Sequence, residues 1–116
     1  MNKELWVNPS PSSAMAAGNI SLSDNIQDFK MLRISFKIEY TSSYYVNILV
    51  NILNGYTQAT KVTSFNDTGT LLFIRGVGIS TGKALGIEGG FYSGTLGSQP
   101  SGYSGALIPV RVWGIK

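Results

Sequence analysis

A chain of 116 residues, 43% hydrophobic and only 13% charged, is long enough for one domain with its own core and too apolar to stay unfolded. It contains no cysteine and no histidine, which removes disulfides, the usual zinc ligands and every Ser-His-Asp or Cys-His arrangement; an enzyme is not expected, nor a metal or other cofactor. The net charge of +3 comes from nine basic residues spread singly from Lys3 to Lys116. This is not the clustered face of a nucleic-acid binder, and no apolar run is long enough to span a bilayer.

In chain order, residues 1–18 read as an extended lead-in. MNKELWVNPSPSSAM has no apolar segment of the secretory type, so export by that route is not expected. Asn8-Pro9-Ser10-Pro11 lacks two backbone donors and pre-sets two φ angles, which gives an extended or turned run outside any ladder. Trp6 and Trp113 are the only tryptophans, and each is expected to anchor the core or an interface. GNISLS forms a short strand, and DNIQDF a surface turn whose Asp24 and Asp28 lack further ligands for a metal.

MLRISFKIEY carries the strongest signal. Leu32, Ile34, Phe36, Ile38 and Tyr40 alternate with Arg33, Ser35, Lys37 and Glu39, as on a strand with one buried face. Thr41-Ser42-Ser43 then links it to YYVNILVNIL, where Tyr44, Val46, Ile48, Val50 and Ile52 share a face, so a hairpin is predicted. Asn47, Asn51 and Asn54 also fall at helical spacing; an apolar helix with an asparagine stripe is the rival reading, against which Val, Ile and Tyr favour a strand.

TGTLLFIRGVGI, KALGIEGGFY and ALIPVRVWGI each supply a further apolar run bounded by turn residues. Within them GVGISTGKAL resembles a phosphate-binding loop only superficially. Gly78 precedes Gly82 by three residues and Gly76 by five, where four are needed, and Ala84 stands where the Mg²⁺-binding hydroxyl belongs. A strand and a turn are predicted there. Ten of the fourteen glycines lie between Gly76 and Gly105, and residues 93–105 read as a glycine-rich loop that either carries function or merely joins two strands. Pro109 places the last strand at an edge or turns its N–H side off the ladder. Short strands at this spacing predict an all-β fold, an antiparallel two-sheet sandwich or jelly roll, in a single domain over 1–116. The sequons Asn19-Ile20-Ser21 and Asn66-Asp67-Thr68 read as chance matches.

LWVNPSPSSAMAAGNISLS at Leu5 to Ser23 and IPVRVWGIK at Ile108 to Lys116 resemble a small domain of phages and prophages of Gram-positive bacteria. Such domains open with Leu-Trp-x-Asn-Pro-x-Pro, here Leu5, Trp6, Asn8, Pro9 and Pro11. They close with a Pro-bearing strand ending Tyr/Trp-Gly-Ile-Lys, here Pro109, Trp113, Gly114, Ile115 and Lys116. The resemblance covers both ends and the middle only in pattern. It implies a viral protein of the virion tail or fibre, made in the host cytoplasm, associated with other tail proteins and trimeric.

On that footing the chain is expected to be a non-enzymatic receptor-binding head that recognises a host-surface saccharide. A tail or baseplate assembly domain and a bacterial carbohydrate-binding or adhesion domain are the alternatives. A sugar site needs an aromatic platform beside amides and hydroxyls, and Tyr92, Gln99, Ser101, Tyr103 and Ser104 offer these among glycines; the rival reading puts Phe91 and one tyrosine in the core. The Tyr44-Tyr45 end of the hairpin is the next candidate.

Overall fold

The structure, a computed structural model, describes residues 2–39, 42–66, 68–94, 97–98 and 105–116. Among the described residues ten strands follow one another: β1 (Asn2–Val7), β2 (Gly18–Ser21), β3 (Met31–Glu39), β4 (Tyr45–Asn51), β5 (Gln58–Phe65), β6 (Leu71–Ile79), β7 (Ala84–Ile87), β8 (Phe91–Gly94), β9 (Gly97–Ser98) and β10 (Ala106–Ile115). They form two antiparallel sheets packed face to face, an all-β sandwich. One sheet has the order β1-β10-β3-β4. In the other, β5 lies along one side of β6, while β7 and β8 pair with successive halves of its other side and carry β2 and β9 outside them. The only helical segment among the described residues is a 3₁₀ turn, Ile26–Asp28, which drives Ile26 and the adjacent Phe29 into the core.

The alternation that predicts β3 sets its burial: Leu32, Ile34, Phe36 and Ile38 are all within the core. β4 pairs with it in unbroken register from Met31↔Asn51 to Lys37↔Tyr45, so the hairpin holds and the helical alternative for 44–54 does not. Val46, Ile48, Val50 and Ile52 pack on the core, while Tyr44 stays exposed. Lys37 points away from that core, yet it too is buried, because the β1–β2 connection crosses it and Ser12 Oγ accepts a hydrogen bond from its Nζ at 3.3 Å.

Sequence reading misses two strands. β1 pairs with β10 instead of merely leading in, and β5, Thr-rich and with only Val62 fully buried, lines the free side of β6. The run KALGIEGGFY is two strands, broken at Glu88-Gly89-Gly90 so that β7 and β8 meet different parts of β6. GVGISTGKAL is the end of β6, a turn in which Ser80 Oγ donates to the Ala84 carbonyl at 2.7 Å, and β7. Of the 93–105 loop, Gly97–Ser98 pairs back on β8.

The two ends that carry the family resemblance are neighbours in space. Asn8 is buried; its N–H donates to the Val110 carbonyl at 2.8 Å, its Nδ2 to the Pro109 carbonyl at 2.8 Å, and its Oδ1 accepts from Ser10 N–H at 2.7 Å. The strand β10 is internal, between β1 and β3, so Pro109 is not at an edge. It is tolerated because the β1 ladder reaches only Val7↔Arg111 and the β3 register shifts between Pro109 and Arg111, a bulge that takes up the missing donor. Asn8 covers the carbonyls left beyond the end of that ladder.

Gly114 has a packing reason. A Cβ there would stand 2.5 Å from Cδ1 of the buried Phe29 ring, which carries Lys116 Nζ at 5.7 Å from its centroid. Gly114→Ala should therefore cost about 1–3 kcal/mol by overpacking. Gly78→Ala, with open space around the new methyl, should stay within about 0.5 kcal/mol. Equal melting temperatures for the two variants would contradict the Phe29 contact.

Candidate functional site

The outer face of the β1-β10-β3-β4 sheet is organised in rows by register. Glu4, Trp113, Arg33 and Leu49 stand side by side across the four strands, and Val7, Arg111, Ser35 and Asn47 form the next row. Trp113 is half-buried between two guanidinium groups, Arg33 at 5.5 Å and Arg111 at 5.7 Å from the ring centroid. Each cation attracts the negative face of the indole, and together they hold the ring in place. Arg111 Nε also pairs with Glu4 Oε2 at 3.3 Å, an exposed ion pair that orients the side chain more than it stabilises the fold.

These rows border an open recess of about 390 Å³ lined by Arg33, Ser35, Tyr45, Asn47, Val110, Arg111 and Trp113. Its floor holds a Ser35–Asn47 pair in which the hydroxyl donates to the amide oxygen. Tyr45, 56% exposed, forms one wall. Arg33 Nε is buried with no hydrogen-bond partner among the described residues. Two aromatic rings, two cations, a hydroxyl and an amide thus converge on one shallow surface. Among the described residues there is no group of three or more acidic side chains able to hold a metal, and Asp24 is instead paired with Lys3 at 2.6 Å.

A second recess, about 330 Å³, lies on the other sheet between Asn19, Thr57, Gln58, Gly78, Ile79, Ser80, Ala84 and Gly86. No ionisable or aromatic side chain lines it, so it offers shape and amides without a platform.

Of the residues singled out from sequence, Tyr92 sits on β8 and is half-buried. Its ring meets Phe73 edge-on, 5.8 Å between centroids at 90°, and packs on the core, which is the core role weighed for it. Gln99, Ser101, Tyr103 and Ser104 lie outside the described residues. The Tyr44-Tyr45 end of the hairpin is exposed, and Tyr45 belongs to the recess. Sequence reading placed Arg33 and Lys37 on one face but did not join Arg33 to Trp113, because their pairing depends on the β3–β10 register.

Among the described residues one charged side chain is wholly interior. Arg75, on the core-facing side of β6 in phase with Phe73, Val77 and Ile79, donates Nε to the Glu88 carbonyl at 2.7 Å and Nη1 to the Ala106 carbonyl at 2.9 Å, while Nη2 donates to the Met15 carbonyl. It ties to β6 the β7–β8 break of its own sheet, the start of β10 on the opposite sheet and the β1–β2 connection. Beside Ala106, Leu107 is held at φ 49°, a left-handed conformation that costs a β-strand residue about 1–2 kcal/mol. Burial pushes the guanidinium down to about 10. No protein-family model matches the chain, and no curated protein matches it either.

Proposed function

We propose that this chain is a non-enzymatic module of a phage virion, the receptor-binding head of a tail or fibre protein, and that it grips a host-surface saccharide on the outer face of the β1-β10-β3-β4 sheet. The observation that carries this reading is Trp113 clamped between Arg33 and Arg111 beside Tyr45, Ser35 and Asn47. Sugars present apolar C–H faces to aromatic rings and hydroxyls to amides and guanidinium groups. Two arginines at the recess favour a saccharide bearing carboxylate or phosphate, which a guanidinium fork binds in bidentate fashion. The site stands on strands, and rigid elements hold a platform with little ordering cost on binding.

The test is binding of the purified chain to a glycan array containing acidic and neutral saccharides. Tyr45→Ala should lower affinity for an acidic glycan at least about tenfold, roughly 1.4 kcal/mol, with the melting temperature nearly unchanged because the ring is exposed. Arg33→Gln should weaken acidic glycans more than neutral ones. Full binding by both variants, or loss only on changing Tyr92 or Tyr103, moves the site to the glycine-rich loop.

The assembly reading has its own support. Leu49, Leu53, Tyr56 and Phe65 are each 57% or more exposed, more apolar surface than a sugar site needs.

A further inference from the structure

Every open sheet has edges, and proteins blunt them with charge, proline, bulges or brevity. Here β1 carries Lys3 and Glu4 and a register shift between Glu4 and Trp6. The edge strand β5 has Lys61 at mid-strand, and β2 and β9 are four and two residues long. The edge at β4 has none of these devices. It runs seven residues, Tyr45-Val46-Asn47-Ile48-Leu49-Val50-Asn51, with no charge, no proline and no shift against β3.

The direction of its free backbone groups follows from the ladder. Ile38 N–H donates to the Tyr44 carbonyl at 3.0 Å and Ile52 N–H to the Lys30 carbonyl at 2.8 Å, so residues 44, 46, 48, 50 and 52 turn their backbone groups toward β3. Tyr45, Asn47 and Leu49 therefore point theirs outward as a template, and Asn51 points outward too, where its carbonyl accepts from Gln58 Nε2 at 2.8 Å. Five of the seven exposed large hydrophobic residues among those described, Tyr44, Tyr45, Leu49, Leu53 and Tyr56, lie on this strand or just beyond its ends.

We propose that a second copy of this chain pairs antiparallel with β4 about a twofold axis at Ile48, joining two four-stranded sheets into one of eight. In this register Tyr45 meets the partner's Asn51 and Asn47 the partner's Leu49, which are the residues with outward backbone groups. Ile48 meets the partner's Ile48, and Val46 the partner's Val50. The core-facing sequence Val46-Ile48-Val50 reads the same in both directions, so antiparallel pairing sets apolar residue against apolar residue, and a slip of one residue would set the two faces against each other. This register also overlaps all seven residues. Such a contact is isologous and closes at two copies; it does not generate the threefold ring expected from the family resemblance. It leaves the two Trp113 recesses on one continuous outer face.

The experiment is the solution mass of the chain by analytical ultracentrifugation, with no ligand present. The wild type should sediment as two protomers. N47K/L49K and N47E/L49E place like charges opposite each other across the axis, and each alone should sediment as one protomer. Mixed in equal amounts they should form a heterodimer, because each lysine then meets a glutamate. Amide exchange in the wild type gives an independent readout: Asn47 and Leu49 should exchange more slowly as protein concentration rises. A wild-type monomer at several hundred micromolar overturns the proposal. So does an oligomer whose mass survives both charge variants, a mixture that stays monomeric, or exchange at Asn47 and Leu49 that ignores concentration.

Discussion

Arg75→Met is expected to destabilise the fold by about 3–5 kcal/mol, read as a fall in the urea midpoint with the slope unchanged. Three carbonyls, of Met15, Glu88 and Ala106, lose a charged donor worth about 1.5–3 kcal/mol each. The methionine offsets part of this because it no longer desolvates a cation. Arg75→Lys keeps the charge but not the planar fork that reaches three segments at once, and it should also lose stability. A Met variant within about 1 kcal/mol of wild type would show that the carbonyls find other partners. The lowered pKa has a definite sign. Above about 10, up to the ordinary guanidinium value, the unfolded chain holds the Arg75 proton more tightly than the folded one, so this group's contribution to stability rises with pH only in that window. At neutral pH it is a cation in both states.

Phe36→Ala should cost about 3–5 kcal/mol, because the ring is fully buried at the centre of β3 and its removal leaves a cavity that the sheets cannot close. Lys37→Ala should cost less, about 1 kcal/mol, through the stem packed beneath the β1–β2 connection and the contact with Ser12. Leu49, 60% exposed on the neighbouring strand, should tolerate alanine within about 0.5 kcal/mol. Thermal unfolding of the three variants ranks them. Equal losses at Phe36 and Lys37 would mean that the register of β3 is off by one.

The contrast between these residues shows what a sequence carries. The β3–β4 hairpin was legible because one face is apolar at every second position from Leu32 to Tyr40 and again from Tyr44 to Ile52. The strand β1 was not, because the shift at Leu5 breaks the period of two, and β5 was not, because threonine and lysine fill positions that an isolated pattern assigns to a loop. Arg75 left a signal that was available: it occupies the phase of Phe73, Val77 and Ile79, where a charge must either be paired inside or end the strand. The recess left almost none. Trp113 and Arg33 are far apart in the chain, and only the β3–β10 register brings the guanidinium to the indole. The tyrosines of the glycine-rich segment attracted the site assignment through composition alone, whereas Tyr92 turns its ring to Phe73.

The recess on the outer sheet face is tested most directly by assigning the backbone amides by NMR and titrating the chain with an acidic saccharide fraction from the surface of a host bacterium. The account predicts concentration-dependent shifts at Arg33, Ser35, Tyr45, Asn47, Arg111 and Trp113, including the indole N–H, that are reversed by free acidic sugar. Shifts confined to Tyr92 and residues 99–104, with the sheet face silent, would contradict it.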